Sequence, residues 1–144
     1  MSEKHKIRYG WLNAMYIYTI VGAGGFGLGM IAVPNTMQVI FKWPIQDPIV
    51  FGIAGSVFLS FALLSVLGLK SPLKFIPVLL LQFTFKVIWL INVVIPLILA
   101  DRFQPYAILH VVIFSTYIIG DLIAIPFPYV FGKETEPAPE RVIV

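Results

Sequence analysis

The feature that most constrains this chain is a series of four apolar segments, each long enough to cross a lipid bilayer. They run from about 11 to 33, 49 to 69, 75 to 99 and 106 to 130. At a rise of about 1.5 Å per residue, helices of these lengths span a hydrocarbon core of about 30 Å. A helix satisfies its own backbone hydrogen bonds in lipid, whereas four strands without polar alternation would not close a barrel. The sequence therefore predicts an all-α integral membrane four-helix bundle.

The composition excludes an ordinary soluble domain. The chain is 59% hydrophobic and 12% charged, whereas soluble domains are about 45–50% apolar and about 25% charged. The formal charge is +3, but the basic residues stand at the ends of apolar segments. Such positions set membrane topology, so the lipid bilayer is the expected partner and nucleic acid is not. Without any cysteine, disulfides and thiolate metal sites are excluded.

The connections and the basic residues predict a topology. Short links between the later segments make consecutive helices antiparallel neighbours in up-down order. Lysine and arginine concentrate on the side that carries both ends of the chain, at Lys4, Lys6, Arg8, Lys70, Lys74, Lys133 and Arg141, whereas the other side has Lys42 and Arg102. By the positive-inside rule both termini are expected in the cytoplasm, beneath a bacterial inner membrane. Residues 1–10 would form a cytoplasmic segment and the Pro-rich residues 132–144 a mobile tail.

Small residues repeat along the first two segments. The stretch 22–27 matches G-x-G-x-x-G, but it lies inside a span and no βαβ unit follows, so a dinucleotide site is not expected. Gly25 and Gly29 are four residues apart, as are Gly52 and Ser56 on the next segment. Small residues at this spacing let helices in lipid approach closely. The contact is either between the first two spans or between protomers of a homo-oligomer or larger membrane complex.

Lys86 is the most informative residue, because it lies near the middle of the third segment. A charge at this depth costs about 2.5–3.5 kcal/mol on insertion scales, so a compensating group is expected. Asp121 is the obvious partner, since a fourth helix that continues to Val130 would bring it to nearly the same depth. The sequence therefore predicts an ion pair between the last two helices.

Further polar residues extend this candidate site. Gln82 precedes Lys86 by one helical turn, and His110, Tyr117 and Asp121 share one stripe of the fourth segment. Two interpretations stand: an ion pair that fixes helix register, or a polar pocket that binds a solute, a proton or a lipid head group. No catalytic residue, metal ligand set or cofactor is expected, because His110 and the terminal His5 are the only histidines and the carboxylates do not cluster.

The length, the four spans, the Gly-rich first span ending at Val33-Pro34 and the deep polar residues of the last two spans complete the pattern. Over residues 9–131 the chain resembles the small bacterial four-helix membrane proteins of the DoxX-like families. This resemblance implies a fold and carries over no functional residues.

Three functions are compatible with the sequence. The first is a non-enzymatic membrane protein that binds a small molecule or lipid, or acts as an accessory subunit, through the polar pocket. The second is a proton- or ion-coupled transporter or channel. The third is a membrane enzyme that acts on a lipid or isoprenoid, with Lys86 and Asp121 as acid and base.

Overall fold

A computed structural model describes residues 6–133, and this part of the chain contains helices and no strands. Four helices are long and apolar enough to cross a membrane: Tyr9–Ala32, Pro48–Lys70, Ile76–Leu99 and Pro105–Ala124. The predicted all-α class and the four long apolar helices are therefore confirmed. Most of the predicted cytoplasmic tail, the basic residues Lys4 and Arg141, and His5 lie outside the described residues.

Prolines and polar caps determine where most of these helices begin. The helices in chain order are α1 (Tyr9–Ala32), α2 (Pro34–Ile40), α3 (Pro48–Lys70), α4 (Ile76–Trp89) with a π-helical segment (Leu90–Val94), α5 (Ile95–Leu99), a 3-10 turn (Pro105–Ala107), α6 (Ile108–Ala124) and α7 (Phe127–Val130). Pro34 and Pro48 each occupy the first helical position, where a fixed φ helps and the missing N–H costs nothing. Asp47 caps α3, since its Oδ1 accepts hydrogen bonds of 3.0 Å from the N–H groups of Ile49 and Val50.

The fourth long helix ends earlier than the sequence analysis predicts. It was expected to reach Val130, but α6 ends at Ala124. Ile125 is extended, with ψ 121°, because a residue that precedes a proline avoids the helical region, and Pro126 follows. The chain then resumes in the short α7. Asp121 therefore lies in the last turn of α6, and not nine residues inside a helix that reaches Val130.

The third long helix is continuous as predicted, but its second half contains a wider, π-helical segment. Within the π-helical segment the Ile95 N–H donates to the carbonyl of Leu90, five residues back. Pro96 has no N–H to offer, so the backbone around it cannot keep the regular bonding pattern. The Asn92 side chain donates to the Ile88 carbonyl at 3.1 Å, which satisfies one group in the distorted turn.

Helix α1 packs most extensively against α3. A Cβ atom added at Gly27 would lie 2.5 Å from Leu59 N and 2.7 Å from the Gly55 carbonyl oxygen. At the other end of α3, Gly68 lies directly under the Tyr16 ring. The contacts thus follow in opposite order along the two helices, and glycines allow the two backbones to approach closely.

Close packing between the first two spans is present, but Gly25, Gly29, Gly52 and Ser56 do not take part in it. The alternative, a contact of these faces between protomers, stays a prediction. A Cβ atom at Gly25 or Gly52 would meet nothing within 4 Å, and Gly29 faces Met37 of α2. Ser56 is exposed. The prediction chose these faces because both helices carry small residues on more than one side, and spacing alone does not show which side is inward.

One end of the structure is held together by a hydrophobic cluster. Leu12, Tyr16, Ile76, Leu79 and Ile125 are buried there, and side chains from the segment before α1, the α3–α4 loop and α7 pack against them. The Tyr16 hydroxyl donates to the Pro72 carbonyl at 2.7 Å. The start of α1, the α3–α4 loop and α7 therefore meet at the same end.

Candidate functional site

A network of buried polar side chains connects three of the long helices. Thr19 of α1, Gln82 of α4 and Asp121 of α6 are each 0% exposed. Gln82 Nε2 donates to Thr19 Oγ1 at 3.1 Å and to Asp121 Oδ1 at 3.4 Å. Thr19 Oγ1 in turn donates to the Met15 carbonyl at 2.7 Å. We call Thr19, Gln82 and Asp121 the polar network; a single amide joins its members.

Asp121 is the member of the polar network with an unsatisfied atom. Its Oδ2 is buried and has no hydrogen-bond partner among the described residues. The carboxyl group also lies in the last turn of α6, where the helix dipole is negative and does not favour an anion. A buried carboxylate oxygen without a donor is costly. This oxygen can accept a proton or another small donor without displacing an existing bond.

Lys86 is buried in a cage of aromatic rings, which we call the aromatic cage. Its side chain is 3% exposed. The Nζ atom lies 4.3 Å from the ring centroid of Tyr117, 4.4 Å from that of Phe85 and 5.2 Å from that of Phe114. It also donates to the Gln82 carbonyl at 3.5 Å. The faces of aromatic rings attract a cation, most strongly when water is excluded.

The predicted ion pair is therefore replaced by an indirect arrangement. Within the described residues, Lys86 Nζ and the Asp121 carboxylate form neither a salt bridge nor a hydrogen bond. Gln82 lies between them, with its backbone carbonyl towards Lys86 and its side chain towards Asp121. The expectation of a direct pair considered only a carboxylate as the compensating group for Lys86.

Tyr117 is at the site as predicted, and its ring serves two neighbours. It forms one wall of the aromatic cage and stacks on Tyr18 of α1, with centroids 4.1 Å apart and an angle of 6°. Its hydroxyl donates to the Tyr18 carbonyl at 2.9 Å and fills the space beside Gly22. Tyr117 thus fixes α6 against α1 and holds one face of the cage in place.

His110 does not join the other predicted site residues. It is half-buried and lies 5.2 Å from Trp43, 6.1 Å from Phe26 and 6.4 Å from Phe41, measured between ring centroids. The segment after α2 thus turns back onto the long helices. Phe114 lies 6.5 Å from His110 and also borders the aromatic cage, so it separates the histidine from Lys86.

Two buried polar residues were not assigned to the candidate site by the sequence analysis. Thr19 is a member of the polar network, and its position as a hydroxyl near the middle of an apolar segment could have indicated this from the sequence. Ser65 of α3 is 0% exposed, and its Oγ has no hydrogen-bond partner among the described residues. Its position between Ala62, which faces Gly24, and Gly68, which faces Tyr16, places it on the α1 side of α3. Each of the four long helices therefore carries a buried polar side chain, but only those of α1, α4 and α6 are joined by hydrogen bonds.

The site brings together a carboxyl group, an amide and a hydroxyl beside a lysine held among aromatic rings. The described residues contain no group of three or more His, Cys, Asp or Glu side chains that could hold a metal ion. The arrangement suits the binding of a proton or of a small hydrogen-bond donor at Asp121. No protein-family model, no curated protein and no solved structure matches the chain.

Proposed function

We propose that this chain is an integral membrane protein whose four long helices cross the bilayer in up-down order. Large apolar side chains along the helices support this, because Val21 is 70% exposed, Ile53 61% and Leu81 60%. Water would make so much exposed apolar surface unfavourable, whereas lipid covers it without cost. The opposite order of contacts along α1 and α3 supports the up-down arrangement. The uneven distribution of basic residues supports cytoplasmic termini, and we propose a bacterial inner membrane.

We further propose that the protein is not an enzyme and binds a small species at the polar network. The observation that carries this proposal is the buried Asp121 Oδ2 without a partner. Because the network residues are completely buried among packed side chains, a proton, a water molecule or a small cation fits better than a larger ligand. Among the described residues, Lys86 of α4, Tyr16 of α1 and Tyr117 of α6 are titratable groups close enough to Asp121 to interact with its charge.

Transport of a proton or ion is the second candidate, favoured by the order of groups along the helices. The polar network lies towards the end held by the hydrophobic cluster around Tyr16, whereas His110 lies about three turns from Asp121 on α6. Phe114 and the caged Lys86 stand between them. Flux through the protein distinguishes a carrier from a binding protein or accessory subunit. The enzyme alternative and the resemblance to the DoxX-like families stay predictions.

Infrared difference spectroscopy tests whether Asp121 takes up a proton. The full chain is reconstituted in vesicles of phosphatidylcholine and phosphatidylglycerol, and spectra are recorded while the pH is changed. We expect a carboxylic acid C=O band that Asp121→Asn removes. Asp101→Asn is the matched control, because Asp101 is exposed and has φ 53°, a conformation that asparagine accepts. A band that persists in folded Asp121→Asn, as checked by circular dichroism, refutes the proposal.

The same vesicles loaded with a pH-sensitive dye measure proton flux. Flux that Asp121→Asn abolishes and Asp101→Asn preserves assigns the protein to transport. A carboxyl band without flux assigns it to binding or to an accessory role.

A further inference from the structure

One end of the structure carries an excess of positive charge, which we call the basic end. Packing brings together the segment before α1, the α3–α4 loop and α7 at this end. Its exposed basic side chains are Lys6, Arg8, Lys70, Lys74 and Lys133. In the part of the chain that the structure describes, no exposed acidic side chain accompanies them, whereas Asp47 and Asp101 stand with Lys42 and Arg102 in the connections at the opposite end. The basic end therefore complements an anionic surface.

A groove between α1 and α6 starts near this end. It has a volume of about 400 Å³ and is lined mainly by apolar side chains, among them Trp11, Met15 and Tyr18 of α1 and Ile119, Gly120 and Ile123 of α6. It follows α6 from Ile123 to Thr116, which corresponds to about 10 Å along a helix. A hydrogen bond of 2.6 Å between Tyr18 Oη and Thr116 Oγ1 joins the two walls at its far end.

Arg8 stands where the groove meets the basic end. Its Nη1 donates to the carbonyl of Ile123, a groove residue, at 3.3 Å. That carbonyl is among the last of α6, where a cation is favoured by the helix dipole. The contact uses one of five guanidinium donors, and the side chain is exposed. The guanidinium fork matches the oxygens of a phosphate group.

We propose that Arg8 and the α1–α6 groove form a binding site for one anionic phospholipid. The lipid phosphate lies on the Arg8 guanidinium, and one acyl chain lies in the groove. Trp11 also lines the groove, in the first turn of α1, and indole rings favour the interface between lipid and water. An anionic head group is selected over a zwitterionic one because the surrounding exposed side chains are basic. The site rests on the proposed membrane location but not on proton binding at Asp121.

Native mass spectrometry of the full chain in neutral detergent tests this site. Phosphatidylglycerol and phosphatidylcholine with the same acyl chains are added separately, and the fraction of protein with bound lipid is measured. We expect phosphatidylglycerol to bind more tightly. A basic residue near the surface is worth about 1 kcal/mol towards an anionic lipid, so Arg8→Gln should weaken its binding about fivefold. Arg102→Gln, the same change at the opposite end, should have no effect.

A second variant tests the groove independently of charge. Ile119 lines the groove and is 59% exposed, so Ile119→Trp fills the groove without disturbing the core. We expect it to weaken binding of both lipids. Asp121→Asn should bind phosphatidylglycerol normally, which separates this site from the proposed proton site.

Three results would overturn the lipid site. The first is unchanged phosphatidylglycerol binding by Arg8→Gln, and the second is an equal loss in Arg8→Gln and Arg102→Gln, which means general attraction only. The third is that millimolar inorganic phosphate displaces phosphatidylglycerol completely and that Ile119→Trp binds phosphatidylglycerol normally. Arg8 would then bind free phosphate, and the groove would have no role.

Discussion

Replacing Lys86 by methionine distinguishes an aromatic cage from a direct ion pair. Methionine keeps the unbranched chain and removes the charge. Burying the ammonium group costs about 2.5–3.5 kcal/mol at the centre of a membrane helix. The ring faces at 4.3 and 4.4 Å return much of this cost, since a desolvated cation–π contact is worth about 2 kcal/mol. The long hydrogen bond to the Gln82 carbonyl adds little. The cost of burying the ammonium group and the gain from its contacts with the rings therefore nearly cancel.

We therefore expect Lys86→Met to change the free energy of unfolding by no more than about 1 kcal/mol. A direct ion pair predicts a different outcome, because removing one partner leaves an uncompensated buried charge and costs about 3–5 kcal/mol. Unfolding is followed in mixed micelles by titration with sodium dodecyl sulfate, with near-ultraviolet circular dichroism as the signal. Lys74→Met, at an exposed lysine, controls for the loss of a positive charge.

A double-mutant cycle with Asp121→Asn completes the test. Because Gln82 joins the two charged groups, the coupling energy should be about 1 kcal/mol. Exchanging the charges, Lys86→Asp with Asp121→Lys, should lower stability, since a carboxylate would then face the negative faces of aromatic rings. The cage is refuted by a loss of 3 kcal/mol or more in Lys86→Met, with coupling of the same size and stability restored by the exchange.

Two other substitutions test the helix contacts and the polar network by the same unfolding measurement. Gly27→Ala places a Cβ atom 2.5 Å from the α3 backbone and should lower the free energy of unfolding by about 1–3 kcal/mol. Gly25→Ala is the control and should be neutral, because a Cβ atom there meets nothing within 4 Å. Equal effects of the two variants would contradict the assigned contact. Gln82→Leu leaves Asp121 Oδ1 without its donor and should cost about 1–3 kcal/mol. Thr84→Val on the exposed side of α4 is its control, and a Gln82→Leu protein as stable as this control would remove the network from the account.

The sequence predicts the long helices well because apolar length is a property of each segment alone. It overestimates the fourth helix for the same reason: apolar residues continue to Val130, whereas the φ/ψ restriction before Pro126 ends the helix at Ala124. Where a glycine faces depends on the neighbouring helix, so Gly25 and Gly27 were indistinguishable until the packing was known.

The sequence predicts most of the residues of the candidate site, but not the contacts that they make. Gln82, Lys86, Tyr117 and Asp121 lie around one another, as shared depth and helical spacing suggested. The partner of Lys86 was missed because a cation can be stabilised by aromatic rings as well as by a carboxylate, and Phe85 and Phe114 are ordinary residues for a membrane span. His110 was predicted at the site, but it packs instead against Trp43 from the segment after α2, whose position the sequence does not reveal.

The π-helical turn at Leu90–Val94 divides the third long helix into two parts whose side-chain directions are out of phase. One extra residue in a turn rotates everything after it by about 100° relative to a regular helix. Residues of Ile95–Leu99 therefore present a different side to their surroundings than a projection drawn from Ile76–Trp89 assigns to them. In a tryptophan scan along Ile76–Leu99, the positions that tolerate the substitution should recur with the helical period and shift their phase near Asn92. A partner helix that contacts both parts must therefore present two faces that differ by the same rotation.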